Sequence, residues 1–202
     1  GDGPLERMVD ATLFARTQLS LWQAWTIMRA GETFDGRELS LDEAIGVGSR
    51  STGFYRQHLM EAFSHLPNAD ERHQACVKRL FKGGGIADRT IDYPAAEDAV
   101  RAIREQGGVA VLAHPGQMDS WAAVPGLVRA GLQGIEVHHP DHSLADVERA
   151  RRVAAEYGLF ASGGSDYHGT FGKPKAVGCR YIGADEAGER VSRLFEDEVR
   201  LS

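Results

Sequence analysis

Val109-Ala110-Val111-Leu112-Ala113-His114 reads as a short apolar strand that ends in an imidazole. Two further runs repeat the pattern. Ile135-Glu136-Val137-His138-His139 ends in a histidine pair, and the run 159–162 leads into Asp166-Tyr167-His168. Their starts lie 26 and 24 residues apart, a spacing that fits repeated βα units and predicts parallel pairing. A parallel sheet or barrel collects the C-terminal ends of its strands on one face, and active sites are built there. Imidazoles and a carboxylate gathered on that face point to metal-assisted hydrolysis.

Helices are predicted between these strands. Pro94 suits a first helical turn, and the stretch through Val100 and Ile103 stops at Gly107-Gly108. A second helix spans Trp121 to Ala130. A third is capped by Ser143 and closed by Gly158. A further strand is expected over 176–182 and a further helix over 185–195.

Residues 1–92 differ from 93–202. Leu5, Met8, Val9, Thr12 and Leu13 follow helical spacing. Leu19, Trp22, Trp25 and Met28 either continue that stripe or begin a second helix. Ser40 with Glu43 has the form of a capping box opening a helix at Leu41. Another helix runs from Phe54 to Leu66 and stops near Pro67. Asp70 caps one that reaches Gly83-Gly84-Gly85. The expected organisation is therefore a helical region, 1–92, followed by a βα region, 93–202.

Composition narrows the function. The chain has 202 residues, 42% hydrophobic and 26% charged, with a net charge of −6. That suits a globular protein with an ordinary core and argues against a broad basic surface for duplex DNA. No run approaches ~20 apolar residues, so no membrane-spanning helix is expected. Two cysteines, Cys76 and Cys179, sit far apart and form no metal-type pair, so a reducing, cytoplasmic setting is expected. No secretory-signal pattern opens the sequence. Phosphate-binding, dinucleotide and nucleophile-elbow glycine motifs are absent.

His114-Pro115-Gly116 turns away from the sheet and leaves a metal-type ligand at its rim, where a hydrogen-bonded strand-end histidine is the plain alternative. In Gly163-Gly164-Ser165-Asp166-Tyr167-His168-Gly169, an Asp-x-His pair on extended backbone points both side chains the same way. His138, His139, Asp141 and His142 cluster, but neighbours on a strand face opposite sides, so at most some reach a common centre. His139 and His142 are the candidates for substrate contact. Arg50, Arg56 and His58 are candidates for an anion pocket, since guanidinium matches phosphate oxygens. Lys82 and Lys173 are weaker ones, and the i, i+3, i+7 set His58, Glu61 and His65 reads more readily as a polar helix face.

These residues carry a family resemblance. Ala113-His114-Pro115-Gly116, Gly134-Ile135-Glu136-Val137-His138-His139 and Gly163-Gly164-Ser165-Asp166-Tyr167-His168-Gly169 resemble, in order and spacing, the later motifs of the PHP family, the polymerase-and-histidinol-phosphatase superfamily of metal-dependent phosphoesterases. The match covers about residues 93 to 182. More loosely, Gly48-Ser49-Arg50 through Arg56-Gln57-His58 and Phe81-Lys82-Gly83 resemble the helical insertion of members that act on nucleoside 3',5'-bisphosphates and short RNA 5' ends.

The resemblance implies an α/β fold, part of a distorted (β/α)7 barrel with a helical insertion domain. It implies up to three divalent ions (Mn, Zn or Fe), with His114, Asp166 and His168 among their ligands. It also implies a phosphoesterase substrate that is a small nucleotide or a short RNA. The family's opening His-x-His pair has no counterpart here, so the sequence reads as the C-terminal portion of such an enzyme. Three ligands spread over several ions leave each below the four to six donors it requires. The missing barrel strands are expected from elsewhere, either an N-terminal half or a dimer partner. The rival readings are an amidohydrolase-like metal enzyme on a similar barrel and a degenerate, regulatory nucleotide-binding module.

Overall fold

Two units organise the chain in the computed structural model, which describes residues 2–169, 172 and 176–192. The first comprises residues 1–93 with 168–174, the second 94–167 with 175–202. Lys173 and the last part of the expected 185–195 helix lie outside the described residues.

The first unit is helical. α1 (Pro4–Arg29) is one unbroken helix rather than two. Nothing between its two apolar stripes breaks the pattern, and the Thr12 and Thr26 hydroxyls donate back to the carbonyls of Met8 and Trp22. A hairpin not foreseen from the sequence follows, β1 (Thr33–Phe34) antiparallel to β2 (Arg37–Glu38). Its turn is Asp35-Gly36, both at positive φ (50° and 79°), the geometry that makes Asp-Gly a hairpin signal.

α2 (Leu41–Gly48) begins where Ser40 Oγ accepts the Glu43 N–H. α3 (Arg56–Ser64) ends at His65, which takes a left-handed conformation. α4 (Glu71–Phe81) is capped by Asp70, whose carboxylate accepts the Arg72 N–H. Phe34, Phe63, Leu59, Met60, Leu80 and Ile27 fill the core between these elements, with Phe34 and Phe63 edge to face at 6.0 Å.

The second unit is α/β. α5 (Ala96–Glu105), β3 (Val111–Leu112), α6 (Val124–Ala130), β4 (Gly134–His138), α7 (Leu144–Tyr157) and β5 (Phe160–Gly163) alternate along the chain. The strands form one sheet in the order β3-β4-β5, parallel throughout. The central strand alternates as its sequence requires. Ile135 and Val137 are wholly buried, while Glu136 and His138 lie half-exposed. Ile135, Val137, Trp121, Leu127, Ala150 and Leu159 form the core.

The expected strand over 176–182 does not form. Those residues make turns, and the Ser165 hydroxyl takes the backbone groups a ladder would have used. It donates to the Arg180 carbonyl and accepts the Gly178 N–H. The helix expected from 185 is split by Gly188, at φ 76°, into α8 (Ala184–Ala187) and α9 (Glu189–Ser192).

Candidate metal centre at the strand ends

The C-terminal ends of all three parallel strands carry the candidate residues of the second unit. His114 follows β3, His138 and His139 close β4, and Asp166 follows β5. His114 and Asp166 both hold positive φ, 33° and 49°. Left-handed backbone is disfavoured for side chains with a Cβ, though histidine and aspartate tolerate it better than most. Such positions persist where the surroundings hold them, and they concentrate at functional sites.

Glu136 is what holds His114. Its Oε2 accepts the His114 N–H at 2.7 Å. Although the β4 motif includes this glutamate, no role for it was read from the sequence. The available signal was a lone carboxylate on the middle strand of a sheet. Pro115 is fully buried, so the chain leaves the strand on a fixed path. Gly116 then passes so close to the start of α7 that a Cβ there would lie 2.7 Å from the Asp146 carboxyl carbon and 2.9 Å from the His142 ring.

The three histidine rings form a row. His114 and His139 are 5.4 Å apart between centroids, as are His139 and His142. Their hydrogen bonds give them different chemistry. His142 accepts the Gly116 N–H at Nε2 (3.1 Å) and meets the Val137 carbonyl at Nδ1 (2.9 Å). Both its nitrogens are engaged and its side chain is buried, so it braces the turn after β3 rather than facing a ligand.

His139, 1% exposed, accepts the Asp141 N–H at Nδ1 (3.1 Å). A neutral ring with that partner carries its proton on Nε2, which lies 3.4 Å from the Asp166 carboxylate. His139 Nε2 therefore faces the Asp166 carboxylate. His114 is different again: its Nδ1 is buried without a hydrogen-bond partner among the described residues.

An ion-pair chain lies beside the end of β4. Glu186 bonds Arg151 Nε and His138 Nε2, each at 2.9 Å. Arg151 first, and then His138, hold the Glu186 carboxyl below the usual carboxylate range. His138 thus faces away from the row formed by its neighbour.

Donor chemistry at this end suits a borderline divalent ion: an unpartnered imidazole nitrogen and a carboxylate. Donor number does not suffice. Among the described residues, no three His, Cys, Asp or Glu side chains gather closely enough to hold a metal ion. His168 is exposed and is grouped with the helical unit.

The remaining candidates also lie in the helical unit. Arg50 is largely exposed and sits 3.8 Å from Glu61. His58 is buried and accepts the Tyr55 N–H at Nδ1, capping α3. Burial lowers its pKa, with Glu61 opposing and Arg50 adding to the shift. Arg56 lies over the Phe81 ring at 5.5 Å.

No protein-family model matches the chain. Curated relatives do. A phosphoribosyl 1,2-cyclic phosphate 1,2-diphosphodiesterase of Eggerthella lenta is 46% identical over 180 residues, covering 89% of this chain and 67% of the relative. A 3',5'-nucleoside bisphosphate phosphatase of Chromobacterium violaceum is 42% identical over 81 residues, covering 38% of this chain and 28% of the relative.

Among solved structures, a protein of Bifidobacterium adolescentis assigned as a metal-dependent phosphoesterase superposes with a TM-score of 0.70 at 24% identity, over 89% of this chain and 63% of its own. An amidohydrolase from Chromobacterium violaceum, solved with sulfate and no metal, superposes with a TM-score of 0.63 at 26% identity, over 82% and 58%. The chain thus spans about two thirds of the length of the Eggerthella lenta relative and less of the others. Three strand-end motifs in the family's order, on parallel strands, and 46% identity along most of the chain lead to one conclusion: the chain belongs to the PHP family of phosphoric ester hydrolases.

Proposed function

We propose that the protein is the C-terminal portion of a metal-dependent phosphoesterase whose substrate is a small ribose phosphate or nucleotide carrying two phosphate groups. The observation that carries this reading is a run of groups across the strand ends, in which the partnerless His114 nitrogen follows β3, the His139 ring lies 5.4 Å from the His114 ring, and the Asp166 carboxylate after β5 lies 3.4 Å from His139 Nε2. His114 and Asp166 would hold the divalent ion. His168 joins them on the strength of the Asp-x-His motif alone. When bound, the ion supplies a Lewis acid and a water of lowered pKa. Glu136 holds the His114 backbone and His139 Nε2 faces the Asp166 carboxylate.

The substrate class follows from what the curated relatives share. The Eggerthella lenta enzyme is named for a phosphoribosyl cyclic phosphate and the Chromobacterium violaceum enzyme for a nucleoside bisphosphate. Each name describes a pentose unit carrying two phosphate groups, one of which is cleaved. A short RNA 5' end has the same features. Arg50, Arg56 and His58 of the helical region are the groups proposed from sequence for that second phosphate. The architecture proposed with it is part of a distorted (β/α)7 barrel, residues 93–202, with 1–92 as an insertion. Strands supplied by the rest of the barrel, or by a dimer partner, would complete the donor set. Manganese, zinc or iron suits such nitrogen and oxygen donors. A cytoplasmic setting accords with the free thiols of Cys76 and Cys179. The amidohydrolase and regulatory readings are not favoured, because both curated relatives hydrolyse phosphate esters.

Replacing Asp166→Ala in the complete enzyme tests the reading. Loss of bound metal by elemental analysis, together with loss of turnover on a ribose bisphosphate, is expected. Unchanged metal content and turnover would defeat the assignment.

A further inference from the structure

His73, near the start of α4, is 5% exposed, yet one of its ring nitrogens has no partner among the described residues. Ser64 decides which one. Its hydroxyl donates to the Met60 carbonyl at 2.9 Å and has no second proton to give. At 2.8 Å from His73 Nδ1 it can only accept, which puts the ring proton on Nδ1. Nε2 is then an unspent lone pair. Burial lowers the ring's pKa, with Asp70 opposing and Arg56 adding to the shift, so the ring is neutral at about pH 7. A lone pair held this deep with nothing to accept from is costly.

The ring lines a cavity of about 460 Å³ bounded by α2, α3 and the start of α4, a size that small ligands occupy. Its wall is weighted towards acceptors. Glu43 meets His65 Nε2 through Oε1 at 2.7 Å, which leaves its second oxygen unspent. Glu61, on the next helix, meets Arg50 only at 3.8 Å. Val47 and Leu66 add apolar surface beside these groups.

We propose that this cavity binds a small organic cation, a primary ammonium group on a short alkyl chain. The ammonium donates to His73 Nε2 and to the Glu43 and Glu61 carboxylates, and the chain lies against Val47 and Leu66. An ammonium has three donors and no acceptor, the complement of such a wall. A metal ion fits less well, because no three His, Cys, Asp or Glu side chains among the described residues gather closely enough to hold one. An anion would face two carboxylates and a lone pair. The site uses none of the groups assigned to metal or phosphate, so it stands apart from the phosphoesterase reading.

Titrating n-butylammonium chloride into the purified chain at pH 7.5 and constant ionic strength tests the site. Potassium chloride controls for charge and 1-butanol for alkyl surface. Saturable calorimetric binding of butylammonium is expected, with no saturation by either control. Nitrogen NMR follows the atom itself. The His73 Nε2 resonance should start at the position of an unprotonated ring nitrogen and move upfield in step with the calorimetric saturation, while Nδ1 keeps its proton. Glu43→Gln and Glu61→Gln change partly exposed side chains and should fold, and each should weaken binding about three- to fivefold. A folded wild-type chain without saturable binding, equal saturation by either control, an unmoved Nε2 resonance, or glutamine variants with wild-type affinity would each overturn the proposal.

Discussion

His139 places Nε2 3.4 Å from the Asp166 carboxylate while its Nδ1 accepts the Asp141 N–H. One backbone amide thereby sets the tautomer of a buried ring, whose other nitrogen faces a carboxylate at the next strand end. If Asp166 is a ligand as proposed, a partner one step removed from it is of the kind that commonly governs metal affinity. In the complete enzyme His139→Ala should lower metal affinity or turnover by about 10- to 100-fold. His139→Gln, which retains a donor, should recover part of it. Metal titration alongside initial rates distinguishes this from a general loss of fold, which would lower the unfolding midpoint of both variants alike.

Gly116 has no room for a side chain between Asp146 and His142. Gly116→Ala should therefore destabilise the second unit by about 1–3 kcal/mol through overpacking and break the N–H bond to His142. A urea melt followed by far-UV circular dichroism measures the cost. An alanine variant as stable as wild type would show that the start of α7 yields to it.

Two buried histidines should make the helical unit sensitive to acid. His58 and His73 both have pKa values lowered from 6.5, in each case chiefly by burial. His73 also pairs with the Ser64 hydroxyl at 2.8 Å. A group whose folded pKa lies below its unfolded one binds more protons when unfolded at intermediate pH. Stability is therefore full above about pH 6.5 and declines as pH falls towards the folded values. Midpoints recorded from pH 7.5 to 5 should drop, and the drop should be shallower in His73→Gln. A flat profile would contradict the burial argument.

Ser143 and Asp146 cap α7 reciprocally. Ser143 Oγ accepts the Asp146 N–H, and the Asp146 carboxylate accepts both the Ser143 N–H and its hydroxyl. Those bonds, the hydroxyl's first, hold the Asp146 carboxyl below its usual range. The contribution is present above the unfolded pKa and is lost as pH falls through the folded one. Ser143→Ala should cost about 1 kcal/mol and return the Asp146 titration, followed by carbon NMR, towards an ordinary aspartate.

Much of the second unit was legible from its sequence because few forces compete there. Short apolar runs between glycine and proline stops leave parallel strands as the natural reading, and Ile135 and Val137 fill the core that the alternation demands. The failures have local causes. The stretch 176–182 has strand-like composition, yet a single serine hydroxyl, seventeen or fewer residues upstream, takes its hydrogen-bonding groups. The Asp35-Gly36 hairpin was overlooked because its strands are two residues long and carry no alternation to notice.

The candidate sites divide the same way. His114 and Asp166 stand at strand ends and can be found by counting. Glu136 could have been suspected from its place inside a central strand. His142 could not have been separated from His139 by sequence, because the amide that occupies its ring comes from Gly116, far away along the chain.

The left-handed backbone at 114 limits what protein engineers can install there. Valine, isoleucine and threonine are ill suited to that conformation, whereas asparagine, aspartate and glycine accept it readily. A library that varies position 114 to test its proposed role as an ion ligand should therefore favour short amide or carboxylate donors, and hits bearing branched residues would signal that the loop after β3 had been rebuilt.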